Sequence, residues 1–200
     1  MMEKTRIHLV RHGEVEGHEQ KRYNGQADVA LTAKGGAQIG MLQLRMERLP
    51  VSAVYCSDLG RCVEGAKLLA AGYGLEPIPE KDLRELDAGK WERLTWDEIK
   101  KQYPEQWQAR LDDIVNVPMP EGESLTNLAA RVRPVIERLV EKHRGEDIII
   151  VAHGGVNRVI LLDAIGAPLN CLFSIEQDFG CLNSIDYYAD GNSVVRLLNG

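Results

Sequence analysis

Two histidines stand directly after apolar runs that predict buried strands. Arg11 and His12 follow the run at 6–10, and His153 follows the run at 147–152. In α/β proteins, ligands bind beyond the carboxyl ends of parallel strands, which lie at one edge of the sheet. We therefore expect both imidazoles and the Arg11 guanidinium at one site. The alternative is that each histidine is an ordinary polar residue of a strand-end loop.

An arginine beside a histidine suits the hydrolysis of a phosphate monoester. A neutral imidazole can attack phosphorus and form a phosphohistidine. Its other ring nitrogen should then donate to a fixed acceptor, and a backbone carbonyl near Gly13 would serve. The planar fork of arginine binds two phosphate oxygens at once. Because phosphoryl transfer depends mainly on positioning and electrostatics, we expect several cationic donors around one point.

The elements that position these residues follow from hydrophobic periodicity. A helix is predicted over 32–49, with Thr32 as its N-cap. A short strand over 53–56 follows, and Ser57 or Asp58 is expected to cap the next helix. Three apolar residues are expected on the buried face of the first helix: Ala37, Met41 and Leu44.

Capping signals mark two further helices. Thr95 and Glu98 form a capping box before a helix that should end near Pro104. Ser124 caps a longer apolar-periodic helix, and Pro134 inside it is expected to kink or split that helix.

The last third of the chain predicts one more helix, over 156–165, and up to three strands. The strands are expected near 172–176, 182–188 and 193–198, with a hairpin turn at Asp190-Gly191. Strands that alternate with helices indicate an α/β fold in three layers, with a mostly parallel central sheet and helices on both faces. The length fits a single domain spanning residues 1–200.

The chain resembles the histidine phosphatase superfamily, which is also called phosphoglycerate-mutase-like. The resemblance covers nearly the whole chain, and its motifs occur in the order of the family: LVRHGE (9–14), GQADVALTAKG (25–35), VYCSDLGRCVEGA (54–66), LRELDAGKWE (83–92), PEGESL (120–125) and IIIVAHGG (148–155).

The resemblance implies a role for each matched position. His12 would be the nucleophile and Glu85 the general acid. The phosphate would be bound by the remaining matched residues: Arg11, Arg61, His153, the backbone N–H of Gly154, and His18. The implied substrate is a small phosphate ester, and no cofactor is implied.

The chain departs from the family pattern at two positions. The family often reads RHGxTxxN, whereas Val15 and His18 stand here in place of Thr and Asn. Either His18 or Asn24 takes over their hydrogen bonds, or the pocket has fewer donors.

The compact interval between Glu85 and His153 favours a phosphatase over a mutase, because family mutases usually carry a longer insertion there. The stretches RYNGQADVALT, LRELDAGKWERLTWDEI and QDFGCLNSIDYY resemble the α-ribazole phosphatases. Fold does not fix substrate. The alternatives are therefore a phosphatase of broad specificity, a cofactor-dependent phosphoglycerate mutase and, in another class, a noncatalytic module that binds phospholigands.

Structural roles remain alternatives for the same residues. Helical phasing places Arg61 opposite the apolar stripe, as expected of a solvated arginine. Glu85 could pair with its neighbour Arg84. His8 fits a sheet face, and His143 fits a helix C-terminus, where a cation suits the helix dipole.

The composition limits the partners and the compartment. A net charge of −6 gives no indication of nucleic-acid or anionic-membrane binding. The four cysteines, at positions 56, 62, 171 and 181, lack zinc-ligand spacing, so we expect reduced thiols and no metal. No secretory signal or membrane-spanning segment is recognised, which favours the cytoplasm. A homodimer remains open.

Overall fold

The computed structural model describes residues 3–200. Its strands form one sheet in the order β3-β2-β4-β1-β5-β6. The first four strands in the chain pair in parallel, whereas β5 runs antiparallel to both of its neighbours, β1 and β6. The strands are β1 (Lys4–Arg11), β2 (Val51–Ser57), β3 (Ile78–Glu80), β4 (Asp147–Ala152), β5 (Leu182–Tyr188) and β6 (Ser193–Leu197).

Helices cover both faces of the sheet, as the sequence predicts. The α-helices are α1 (Ala33–Met46), α2 (Gly60–Ala71), α3 (Trp96–Gln102), α4 (Pro104–Asp112), α5 (Leu125–Lys142) and α6 (Gly154–Ile165). Short 3₁₀ helices lie at His18–Gln20, Lys81–Leu83, Gly89–Trp91 and Leu169–Ser174.

Strand β4 explains why its run is continuously apolar. Ile148 and Ile150 pack in the core cluster that contains the buried faces of α5 and α6. Ile149 and Val151 pack in the cluster that contains the buried faces of α1 and α2. Because successive side chains of a strand point to opposite faces, a strand buried on both sides needs apolar residues at every position.

The predicted face of α1 is wrong. Ala37 is exposed, and so are Met41 and Leu44, at 67% and 58% of their surface. The buried residues of the helix are Gly35, Ile39, Leu42 and Met46. The phase of the helix is set by Gly35, whose Cα hydrogens face the backbone of Glu14 so closely that a Cβ would lie 2.1 Å from its oxygen.

The caps of α1, α3 and α5 agree with the prediction, because Thr32, Thr95 and Ser124 each accept a hydrogen bond from the third backbone N–H of their helix. Neither Ser57 nor Asp58 caps α2, since its N-cap is Leu59 without a side-chain bond. The predicted cap residues have other partners, which are described below.

Helix α5 runs unbroken through Pro134, contrary to the expected kink or split. Pro134 and Ala130, whose carbonyl loses its helical partner, both lie on the exposed face. Water can therefore satisfy that carbonyl, and the apolar stripe on the opposite face holds the helix together.

Two boundaries in the C-terminal third also differ. The segment 172–176 forms no strand, because Leu172 and Ile175 are buried in the cluster beneath α5 and α6, and β1 already pairs with β5. Helix α6 begins at Gly154, two residues earlier than predicted, which places both glycines of the HGG motif in its first turn. The predicted hairpin between β5 and β6 is present.

Among residues 3–200, no helix combines the length and apolarity needed to cross a bilayer. All four cysteines are free thiols, and Cys56, Cys62 and Cys181 are buried.

Candidate active site

The ends of β1 and β4 bring the two predicted histidines together. The strands are direct parallel neighbours, with Arg11 opposite Ala152. His12 and His153 follow these positions, and their ring centroids are 5.2 Å apart. The shared edge expected from the sequence therefore exists.

His12 is held as a neutral imidazole. Its Nδ1 lies 2.8 Å from the carbonyl oxygen of Gly13, which can only accept a hydrogen bond, so Nδ1 carries the proton. Burial, with the positive charges of Arg61 and Arg11, lowers the pKa of His12 well below its usual range. Nε2 therefore retains a lone pair, and the residue lines a cavity of about 660 Å³.

Gly13 is needed for this arrangement. A Cβ at this position would lie 2.2 Å from the backbone oxygen of Gly35 in α1. A side chain would push the loop away from the helix and move the carbonyl that orients His12. The glycine of the RHG motif thus permits a close approach of two backbones.

His153 lies one layer behind the cavity wall and is fully buried. Its Nδ1 accepts a hydrogen bond from Nε of Arg61 at 3.3 Å, and its Nε2 lies 2.9 Å from Oγ of Ser57. Burial, followed by the charges of Arg61 and His12, lowers the pKa of His153 well below its usual range. Ser57 therefore supports His153 instead of capping α2.

The guanidinium of Arg61 is fixed by carbonyl groups. Nη1 donates to Ala27 at 2.8 Å and Nη2 donates to Gly25 at 2.7 Å. Arg61 is 2% exposed. The alternative that it lies on the solvated face of its helix is therefore wrong. Its hydrogen-bond partners among the carbonyl groups are neutral, and no carboxylate within residues 3–200 forms an ion pair with it.

Arg11 is held in a similar way. Nη1 donates to the backbone oxygen of Gln177, and Cζ lies 3.9 Å from the ring centroid of Phe179. Its Nε is buried and has no hydrogen-bond partner within residues 3–200. Buried N–H groups are rarely left unpartnered, so this donor indicates a place for an acceptor atom of a ligand.

Glu85 reaches the same cavity from the loop after the 3₁₀ helix at 81–83. Its carboxylate accepts hydrogen bonds from the backbone N–H of Leu86 at 2.8 Å and of Gly155 at 3.0 Å. A Cβ at Gly155 would lie 2.4 Å from Oε1 of Glu85. The expected alternative, a pair between Glu85 and Arg84, is not observed, because Arg84 pairs with Asp58 at 2.6 Å.

Gly154 does not line the cavity and lies close to Arg11 and Arg158. A Cβ there would lie 3.2 Å from Nη1 of Arg158 and 3.6 Å from Nε of Arg11. Gly154 is the first residue of α6, whose N-terminus favours anions. The predicted contact of its N–H with phosphate stays a prediction.

His18 lines the cavity, but both of its ring nitrogens face protein acceptors. Nδ1 lies 3.2 Å from the carbonyl oxygen of Val15, and Nε2 lies 3.4 Å from a carboxylate oxygen of Glu14. Asn24, the other residue considered for the missing donors, also lines the cavity. The role of His18 in phosphate binding stays a prediction.

Three residues close to the site were not singled out from the sequence. Arg158 lies one helical turn after Gly154, so the spacing along α6 could have indicated it; its Nε donates to Ile175 at 2.7 Å. Gln177, which is buried, and Phe179, which is half-buried, lie in a loop, where no periodic signal marks such residues.

The cavity encloses about 660 Å³. Its lining includes Arg11, His12, Arg61 and Glu85. Part of the lining is apolar, and Trp96 and Phe173 in that part are 49% and 72% exposed. The apolar wall and rim consist of Leu86, Trp96, Ile114, Met119, Leu125, Leu172 and Phe173.

Known proteins resemble this chain in sequence and in architecture. The chain is 34% identical over 196 residues to a bifunctional protein of Mycobacterium tuberculosis, covering 98% of this chain and 54% of that protein. It is 37% identical over 155 residues to phosphoglycerate mutase-like protein 4 of Arabidopsis thaliana, covering 76% of this chain and 67% of that protein. The chain spans about half the length of the mycobacterial relative.

Among solved structures, the α-ribazole phosphatase of Shigella flexneri superposes with a TM-score of 0.90 at 29% identity, covering 98% of this chain and 96% of that one. The family model of the histidine phosphatase superfamily (branch 1) matches residues 7–200. The chain, with its RHG histidine at the end of β1, belongs to the histidine phosphatase superfamily.

Proposed function

We propose that the protein is a phosphatase that hydrolyses phosphate monoesters through a phosphohistidine at His12. The observation that carries this proposal is the Nδ1 hydrogen bond of His12 to Gly13, which leaves Nε2 as a free base between two arginines. A neutral nucleophile and unneutralised cations are the two requirements of phosphoryl transfer to an imidazole.

In the first step, the lone pair of His12 Nε2 forms a bond to phosphorus while the bond from phosphorus to the ester oxygen breaks. Glu85, in its protonated form, donates a proton to the leaving oxygen. Arg11 and Arg61 bind the phosphoryl oxygens, which stabilises the charge of the transition state. The products of this step are an alcohol and phosphohistidine.

In the second step, water attacks phosphorus and the Nε2–phosphorus bond breaks. The Glu85 carboxylate accepts a proton from the water, so the acid of the first step is regenerated. Inorganic phosphate leaves and His12 returns to the neutral form. His153 contributes to phosphate binding by keeping Arg61 in place. Gly154 and His18 are the remaining residues that we propose for phosphate binding.

For the substrate, we propose α-ribazole 5′-phosphate. The chain shares its fold and 29% of aligned residues with a protein named as an α-ribazole phosphatase. A cavity of about 660 Å³ with an apolar wall suits a leaving group that carries an aromatic base. The alternative is that the phosphatase accepts a broad range of phosphate monoesters.

The name of the Arabidopsis relative favours one other function, a phosphoglycerate mutase. A mutase returns the phosphoryl group to a second hydroxyl instead of to water. The two reactions differ in product: the phosphatase releases inorganic phosphate, and the mutase interconverts phosphoglycerates after priming with a bisphosphoglycerate.

The experiment measures phosphate release from α-ribazole 5′-phosphate, p-nitrophenyl phosphate and 3-phosphoglycerate, each in the presence of EDTA. We expect release from the first two, with the highest kcat/KM for α-ribazole 5′-phosphate. Primer-dependent isomerisation of 3-phosphoglycerate without net phosphate release would establish the mutase instead. Binding of these esters without turnover would indicate a noncatalytic module.

A further inference from the structure

One segment of the chain, residues 177–181, holds the guanidinium of Arg11. The backbone oxygen of Gln177 accepts from Nη1 of Arg11, and the Phe179 ring lies against its flat face. A backbone N–H of the same segment donates to the carbonyl oxygen of His12 at 3.0 Å. The segment therefore contacts both Arg11 and His12 of the RHG motif.

The segment is not part of a strand, and its first residue, Gln177, belongs to a buried cluster of three carboxamides. Oε1 of Gln177 accepts from Nδ2 of Asn183 at 2.9 Å and from Nδ2 of Asn157 at 3.1 Å. Nε2 of Gln177 donates to Oδ1 of Asn183 at 2.8 Å. All three side chains belong to residues that are at most 1% exposed.

The cluster joins the elements that carry the site. Asn183 lies in β5, and its Nδ2 also donates to the carbonyl oxygen of Leu9, two residues before Arg11 in β1. Asn157 lies in α6, one turn after His153, and its backbone N–H donates to the His153 carbonyl at 2.8 Å. The Gln177 carboxamide is thus bonded directly to β5 and α6, and Asn183 extends the cluster to β1.

We propose that Gln177 is a positioning residue of this site: its carboxamide fixes the backbone carbonyl that orients Arg11, and so sets the geometry of phosphate binding. Arg11 forms no salt bridge within residues 3–200, and the Gln177 carbonyl is the hydrogen-bond acceptor that its guanidinium has there. A guanidinium that is displaced by even about 1 Å from the phosphoryl oxygens stabilises the transition state much less well. The inference rests on the proposed phosphatase function.

The test is Gln177→Met, which keeps the approximate length of the side chain and removes its hydrogen bonds. We expect kcat/KM for p-nitrophenyl phosphate to fall about 10- to 100-fold, and the dissociation constant of inorganic phosphate, measured by calorimetry, to rise in parallel. The matched control is Thr5→Val, which also removes buried hydrogen bonds, to Val140 and His143, at the opposite end of β1. Thr5→Val should lower stability and leave both constants unchanged.

A double-mutant cycle shows whether Gln177 acts through Arg11. In an Arg11→Ala background, Gln177→Met should have almost no further effect on either constant. An equal fall in both backgrounds, or unchanged constants in the single variant, would overturn the proposal. If Gln177→Met does not fold, Asn157→Leu, which removes one of the hydrogen bonds to Gln177, enters the same cycle under the same criteria.

The calorimetric arm separates this inference from the proposed function. A wild-type protein that binds inorganic phosphate but hydrolyses no ester contradicts the phosphatase, and the cycle on phosphate binding still decides the role of Gln177. An Arg11→Ala variant with unchanged phosphate binding would contradict the proposed phosphate site itself.

Discussion

Nδ1 of His153 accepts a hydrogen bond from Nε of Arg61 at 3.3 Å, and this contact fixes the tautomer of a fully buried imidazole. The proton must lie on Nε2, which donates to Oγ of Ser57 at 2.9 Å. Arg61 is therefore supported by a neutral histidine, and that histidine is supported by a serine at the end of β2.

Ser57→Ala should destabilise the fold by about 1–3 kcal/mol, because the buried Nε2–H of His153 loses its acceptor. The free energy of unfolding, measured by urea denaturation, checks this value. The control is Ser52→Ala in the same strand, where the hydroxyl is exposed and the change should stay within about 0.5 kcal/mol. Equal stabilities of the two variants would contradict the hydrogen bond between Ser57 and His153.

His12→Asn should lower kcat/KM by at least about 10⁴-fold, as expected when a nucleophile is removed. The wild-type protein should also retain ³²P after brief incubation with a labelled ester and an alkaline quench, because phosphohistidine survives in base. The variant should retain none. The control is His143→Gln at the end of α5, which should label normally; label that persists in His12→Asn would place the phosphoryl group elsewhere.

The stability of the protein should fall as the pH is lowered from 7 to 5. His12 and His153 have folded-state pKa values well below the ordinary value of about 6.5. In this range the unfolded chain binds protons that the folded chain does not, so protonation favours unfolding, by up to about 1.4 kcal/mol per pH unit for each histidine.

Urea denaturation at pH 7, 6 and 5 measures this dependence. His12→Gln removes one of the two groups and should give a visibly shallower slope, while the depressed pKa of His8 contributes equally to both proteins. A steeper slope in the variant would mean that His12 is protonated in the folded state.

Gly155→Ala should lower kcat at least about tenfold, because the new methyl group would displace the Glu85 carboxylate from the start of α6. KM should change less, since the arginines are untouched. Gly36→Ala in α1 is the control: a Cβ there meets open space, so activity should be unchanged and stability should rise by about 0.5–1 kcal/mol. A fully active Gly155→Ala would remove Glu85 from the proposed acid role.

The sequence was most informative where apolar runs end. The strands at 6–10 and 147–152 are recognisable without a structure, and their neighbouring positions in the sheet bring His12 and His153 together. Helix caps were also predictable, because Thr32 and Ser124 act through atoms three residues away. These signals depend only on residues that are close together in the chain, so they can be recognised in a single sequence.

Contacts between distant segments set the features that were missed. The α1 helix carries two apolar stripes, and the stripe of Ile39, Leu42 and Met46 is the buried one. The approach of Gly35 to the loop after β1, which lies outside the helix, decides between them. Burial of Arg61 requires the carbonyls of Gly25 and Ala27 from another segment. In the sequence, Gln177 cannot be distinguished from an ordinary polar loop residue. Its role is visible only in the hydrogen bonds that it forms with Asn157 and Asn183 in the folded protein.

The position of β5 beside β1 has a consequence for biosynthesis. β1 begins at Lys4, and its antiparallel partner follows more than 170 residues later, with Lys4 opposite Tyr188. While the ribosome is still elongating this stretch, Arg11 lacks the 177–181 segment that holds its guanidinium. Arg11 therefore reaches its final position only after the residues up to β5 have emerged from the exit tunnel.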